Sequence, residues 1–239
     1  MGAMHHSQSG PRTVLELVGL TVLTFVIALL AGVVFIAPLV ALGYDIESTP
    51  ILVGATAAGQ LCMFGVGYLY YRYRDLSVPV ALPSLRELGY AAVGVVAAIA
   101  AAVVLSMLLT SLGLLPSSVI GETAAADPTY LLGLAALSIV VVAPVEEFVF
   151  RGVIQGRLRD RFGAVPGIAG ASLLFGSLHL ANYSGNPVAI VAGALMIAVV
   201  GSIFGALYER TGNLAVPVLV HATYNTILFG LSYVALSST

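Results

Sequence analysis

The sequence predicts an all-α fold, a polytopic transmembrane helix bundle of about seven spans (range six to eight) with a polar cluster within the membrane. Three observations carry this. Hydrophobic residues make up 59% of the 239-residue chain and charged residues only 8%, with a mean hydropathy of +1.05, whereas soluble domains carry about a quarter charged residues. The apolar residues come in continuous runs of roughly 20, the length a helix needs to cross a hydrocarbon core of about 30 Å, and not in alternating ten-residue strands. Ionisable side chains recur at membrane depth in the fourth, fifth and seventh of these runs, where insertion costs about 2.5 to 3.5 kcal/mol each.

The opening MGAMHHSQSG is polar, and His5 and His6 look tag-like, so residues 1–12 are read as a disordered or tag-like tail and 13–239 as one transmembrane bundle. The first span, 14–42, is about twice the length of a signal-peptide core and lacks a small-residue cleavage pattern after it, so it stays in the membrane, with Pro38 as a kink point. The second span, 51–71, ends among Tyr68, Tyr70, Tyr71 and Tyr73, an interfacial aromatic belt. The third covers 88–115, and the fourth, 129–155, contains a second kink point at Pro144. The fifth covers 164–181. The sixth, 187–208, carries the small residues of GALMIAVVGSIFGA, which let a neighbouring helix approach closely. The seventh covers 214–236.

Loop charges fix an orientation. Arg12 precedes span one, Arg72, Arg74 and Arg86 follow span two, Arg157, Arg159 and Arg161 follow span four, and Arg210 follows span six. With seven spans these all lie on one side, while Asp45, Glu47, Glu122 and Asp127 lie on the other. By the positive-inside rule the N-terminus is cytoplasmic, in an integral multi-pass protein of the cell (plasma) membrane. A net charge of −2 gives no case for nucleic acid, and the single Cys62 excludes an intramolecular disulfide and a zinc-thiolate cluster.

Span four carries Glu146, Glu147 and Arg151, span five His179, and span seven His221 and Asn225. At about 1.5 Å per residue, counted from the cytoplasmic ends, Glu146 lies roughly 15 Å in, His179 roughly 22 Å, His221 roughly 10 Å and Asn225 roughly 17 Å, so three helices deliver polar groups to one depth. Glu147 and Arg151 have the i, i+4 order of an ion pair, and Glu146, about a quarter turn away, remains for chemistry. His221 and Asn225 share that spacing, as do Phe175 and His179, which puts Phe175 beside the imidazole. A carboxylate and a neutral imidazole aimed at one point can hold and deprotonate a water. A second imidazole and an amide supply donors for the oxyanion of a tetrahedral intermediate. These are the requirements of amide hydrolysis.

At these residues the chain resembles the family of CAAX prenyl proteases and bacteriocin-processing enzymes, intramembrane endopeptidases that include the type II CAAX protease. Its EExxxR motif is matched by Glu146, Glu147 and Arg151 in EEFVFR, FxxxH by Phe175 and His179, and HxxxN by His221 and Asn225. The resemblance spans 129–231. It implies Glu146 as catalytic base, His179 as the group positioning the nucleophilic water, His221 with Asn225 as the oxyanion site, and Glu147 and Arg151 as structural support. It also implies a membrane-embedded or lipidated peptide substrate, in some members a prenylated C-terminal Cys motif that loses its last three residues. No cofactor is required by a glutamate mechanism. A zinc ion held by Glu146, His179 and His221 is the alternative, although the HExxH helix pair is absent. Two rival functions are a non-catalytic scaffold or bacteriocin self-immunity protein of the same fold and a proton-coupled transporter. The transporter reading requires an inverted repeat, and the polar residues crowd into the second half of the chain instead.

Overall fold

A computed structural model describes residues 10–238. Seven of its helices are long and apolar enough to cross a membrane, and the protein is an integral membrane protein with an all-α, polytopic bundle. In chain order the elements are α1 (Gly10–Ala41), α2 (Thr49–Tyr73), α3 (Leu85–Ser111), β1 (Ser117–Ser118), the short α4 (Val119–Ala126), α5 (Thr129–Phe162), α6 (Ala164–Leu178) with a 3₁₀ turn over His179–Asn182, β2 (Tyr183–Ser184), α7 (Pro187–Thr211) and α8 (Ala215–Ser237).

Several expected boundaries move. The tail expected over 1–12 lies outside the described residues as far as residue 9, and Gly10–Arg12 already belong to α1, with Gly10 packed against the Phe162 ring. Pro38 sits inside α1 without dividing it. The fourth span does not stop at Gln155. It runs on to Phe162, so Arg157, Arg159 and Arg161 occupy its last turns and not a loop. Arginine is a good helix former, and its cation complements the carbonyl end of the helix. At roughly 1.5 Å per residue α5 exceeds the ~30 Å hydrocarbon core, so these turns can reach the interface. The helix ends where Gly163 takes φ 92°, a conformation side-chain-bearing residues rarely adopt.

α5 is the central helix. It is flanked by α2, α6 and α8, while α1 packs chiefly on α2, and α3 on α7 and α8. One core joins Leu17, Leu20 and Met63 to Val149, Phe150, Val153, Ile154 and Phe175; another joins Ala91, Ala98 and Ala102 of α3 to Val200, Phe204, Val216 and Val220. Long aliphatic side chains such as Leu15, Val34, Leu69, Val93 and Val140 point outward, as a lipid-facing surface requires.

Polar contacts close both ends. At one end the β1–β2 pairing (Ser117 with Ser184, Ser118 with Tyr183) ties the segment before α4 to the turn after α6. Asp127 there accepts from the Thr49 hydroxyl at 2.6 Å and from the Thr129 hydroxyl and amide at 2.7 and 3.0 Å. At the other end Glu16 pairs with Arg74 and accepts from the Tyr70 hydroxyl, and Asn213 exchanges hydrogen bonds with the backbone of Ala81. Glu16 is an acid within the first span that the motif-based reading passed over.

Candidate active site

α5 is not a uniform α-helix. It widens to π-helical turns over Ser138–Val142 and again over Phe148–Gln155, bracketing the short α-helical Ala143–Glu147. Pro144 has no N–H to donate, and its ring would crowd the carbonyl four residues back, so a widened turn immediately before it relieves both demands. Such bulges inside α-helices occur frequently at functional sites. Here they bracket the two glutamates.

The adjacent carboxylates face different partners. Glu147 is fully buried; its Oε1 accepts from His221 Nδ1 at 2.8 Å and its Oε2 lies 3.2 Å from Arg151 Nε. Glu146, 8% exposed, accepts from Gln60 Nε2 of α2 at 2.8 Å through Oε1. Its Oε2 lies 3.9 Å from His221 Nε2, too long for a hydrogen bond, and accepts none among the described residues. The expected Glu147–Arg151 pair is therefore present, and Glu147 additionally holds the His221 ring, a second function that i, i+4 spacing could not reveal.

Hydrogen-bond direction assigns the imidazole protons. A carboxylate oxygen only accepts, so Nδ1 of His221 carries the proton it shares with Glu147, and Nε2 is the nitrogen turned towards Glu146. His179 Nδ1 lies 2.9 Å from the Phe175 carbonyl oxygen, which also only accepts. His179 is thus protonated at Nδ1, with Nε2 left as the lone-pair nitrogen. His179 lies just beyond α6, in the 3₁₀ turn, and not in the body of an α-helix as expected. Glu146, His221 and Arg151 are its charged and titratable neighbours.

Aromatic rings join the parts. The Phe175 ring stands edge-on to His179 at 4.7 Å and to His221 at 5.9 Å between centroids. Phe204 stacks on His221 at 5.1 Å. The Arg151 guanidinium lies 4.5 Å from the Phe175 centroid and 5.6 Å from that of Phe204, and its Nη2 donates to the Gly201 carbonyl at 2.7 Å. Phe175 therefore has a larger structural part than its i, i+4 spacing implied, since it touches both imidazoles and the buried cation.

Asn225 lies one turn beyond His221 on α8, half-buried. Its Nδ2 donates to the Ser138 hydroxyl at 3.3 Å, and no hydrogen bond links it to Glu146 or His179 among the described residues. Motif spacing passed over two side chains near these groups, Gln60 and Ser138. Gln60 did carry a signal, an uncharged polar group in the apolar stretch GQLCMF, because polar groups at membrane depth tend to face partners. Ser138 carried none, since serine is ordinary in a transmembrane helix.

Among the described residues no three His, Cys, Asp or Glu side chains are grouped so as to hold a metal ion. Glu146, His179 and His221 are neighbours but not an assembled zinc ligand set.

Comparison with known proteins adds one relationship. Residues 128–227 match the Rce1-like family model, described as type II CAAX prenyl endopeptidase Rce1-like. The matched segment runs from the start of α5 into α8, contains all three motifs, and agrees with the resemblance read over 129–231. No curated protein and no solved structure matches the chain.

Proposed function

We propose, from the premise that residues 128–227 form an Rce1-like, CAAX-type protease segment, that this protein is an intramembrane endopeptidase acting on a membrane-associated or lipidated peptide. The observation that carries the reading is the buried Oε2 of Glu146, which has no hydrogen-bond partner among the described residues and faces His221 Nε2 at 3.9 Å. A buried acceptor without a donor is costly unless function uses it.

The chemistry follows from the proton assignments. Water gives one proton to Glu146 Oε2 and a hydrogen bond to His179 Nε2 while its oxygen attacks the scissile carbonyl carbon. The carbonyl oxygen becomes the oxyanion of a tetrahedral intermediate. Asn225 has a second N–H beyond the one directed at Ser138, and that donor serves the oxyanion. His221 can donate from Nε2 only when doubly protonated, and Glu147 supplies the counter-charge for that state. With Glu146 and Glu147 ionised and Arg151 and His221 charged, the four groups sum to zero, which suits an apolar interior. Collapse of the intermediate breaks the C–N bond, and the proton on Glu146 passes to the leaving amine.

Phe175 and Arg151 hold the rings and Glu147 in register. The arginine-bearing helix ends face the cytoplasm of the cell membrane in this reading, and residues 13–239 act as one bundle. The substrate class is a prenylated C-terminal motif, as the family description suggests.

The test is cleavage of a farnesylated CAAX peptide by the purified protein, with mass spectrometry of the products. Release of the last three residues by wild type and its loss in Glu146→Gln and His179→Ala are expected. Wild-type rates in either variant would sink the mechanism. Cleavage of membrane peptides other than the farnesylated one would retain the enzyme and replace the substrate.

A further inference from the structure

The family match begins at residue 128, so α2 lies outside it, yet α2 sends a side chain to the middle of the site. Gln60 is half-buried midway along α2, and its Nε2 donates to Glu146 Oε1 at 2.8 Å. The orientation of this amide follows from its partner, because an ionised carboxylate offers only acceptors and the nitrogen must face it. The other half of the amide, Gln60 Oε1, is buried and has no hydrogen-bond partner among the described residues, the same condition as Glu146 Oε2.

One hydrogen bond makes the two carboxylate oxygens unequal. A free glutamate carboxylate rotates broadly about its last torsion, so either oxygen could meet the water. The groups facing Glu146 from the surrounding elements are Gln60 on α2, His221 on α8, His179 after α6, and Glu147 and Arg151 on α5 itself. Gln60 is the one among them that donates a hydrogen bond to it in this structure.

We propose that Gln60 is a positioning residue of the active site, pinning Glu146 Oε1 so that Oε2 alone is presented to the attacking water and leaving its own carbonyl as a second acceptor for water or substrate N–H. This rests on Glu146 being the general base. It also gives the first half of the chain a part in the chemistry. The competing account is helix adhesion: an amide at membrane depth can bond a neighbouring helix and do nothing else.

The two accounts separate in the full-length protein, using a farnesylated CAAX peptide and rates normalised to folded protein. Gln60→Met keeps the length and removes the donor. We expect kcat to fall about 10- to 100-fold, the cost of a base misplaced by about 1 Å, with KM changed less than about threefold. Gln60→Glu should be slower still, because a second carboxylate against Glu146 either repels it or shares a proton with the oxygen pair. Gln60→Met combined with Glu146→Gln should be no slower than Glu146→Gln alone, since a residue acting through the base has no effect once the base is gone.

Adhesion alone would lower the melting temperature and leave kcat intact. A wild-type kcat in Gln60→Met overturns the proposal while the endopeptidase reading stands. If Gln60→Met yields no folded protein, Gln60→Glu decides, and a wild-type kcat there overturns it equally. A fully active Glu146→Gln, or a wild type that cleaves neither the farnesylated peptide nor any other membrane peptide, removes the endopeptidase reading and this inference with it.

Discussion

Replacing Glu147 by Gln tests how a bilayer-spanning helix tolerates its charges. The change preserves shape, and a glutamine carbonyl can still accept from His221 Nδ1, so the ring stays oriented. What disappears is the charge opposite Arg151, whose side chain is 0% exposed and sits 3.2 Å from Glu147 through Nε. Breaking a buried pair by removing one partner costs about 3 to 5 kcal/mol. The Phe175 and Phe204 rings beside the guanidinium offset part of this, a desolvated cation–π contact being worth about 2 kcal/mol, so we expect a loss near the lower figure, about 3 kcal/mol. Arg151→Met should cost a comparable amount, because it strands the carboxylate. The double variant leaves a neutral pair of similar volume and should return to within about 1 kcal/mol of wild type. Activity should not return with it, since His221 still lacks the counter-charge that lets it donate from Nε2, and loss of one oxyanion donor costs about 10²- to 10³-fold in kcat. Unfolding in detergent and peptide cleavage, measured on the same four proteins, give both quantities. The reasoning is refuted if Glu147→Gln costs less than about 1 kcal/mol, or if the double variant recovers wild-type kcat.

Gly201→Ala should destabilise the protein by about 1 to 3 kcal/mol and slow cleavage, because a Cβ there would lie 2.8 Å from Arg151 Nη2 and 2.9 Å from Phe175 Cδ1. Gly65→Ala, with nothing within 4 Å, is the control and should be neutral or stabilising by up to about 1 kcal/mol; melting temperatures of the two variants check the contrast. Asp127 is held below the usual carboxylate range by hydrogen bonds from Thr129 and then Thr49. A depressed folded-state value contributes stability that is present above the unfolded value of about 3.9 and is lost as pH falls through the folded value. Asp127→Asn should therefore lower stability at neutral pH and flatten the acid side of the stability profile below about pH 4, as read by unfolding midpoints across pH.

Seven apolar runs were legible because the bilayer imposes a length and forbids unpaired backbone, and both constraints act on local composition. The helix ends were less legible. Three arginines beyond Gln155 have the composition of a loop, whereas arginine's length lets the helix continue into the interface with its charge outside the lipid. The motif residues were visible as ionisable groups at one depth. Their division of labour was not, because Glu147 owes its second partner, His221, to the packing of α8 against α5, and that contact is 74 residues long in sequence. The π-helical turns around Pro144 were equally hidden, since hydrophobic periodicity cannot separate an extra residue in a turn from a slightly rotated helix. Gln60 is within reach of the same depth argument that selects His179 and the amide of Asn225, but it lies on α2, outside the three motifs.

The register between α5 and α7 explains how charges at this depth can be both buried and correctly aimed. Both helices run in the same direction through the bundle, and three contacts repeat at one offset: Arg151 Nη2 to the Gly201 carbonyl at 2.7 Å, Gln155 Nε2 to the Gly205 carbonyl at 3.0 Å, and Arg159 near Glu209 at 4.0 Å. Each step is four residues on both helices, so the contacts form one stripe. The glycines matter because a Cβ at Gly205 would lie 2.6 Å from Gln155 Oε1; their absence of side chain opens carbonyls whose second lone pairs remain available after the helix bond is made. Polar side chains of α5 thus meet two backbone carbonyls and the Glu209 carboxylate of α7 instead of lipid. The height of Glu146 and Glu147 against His221 follows from the direct packing of α8 on α5, while the small-residue face of α7 does more than permit close packing: it accepts the polar side chains that α5 carries beyond the carboxylates.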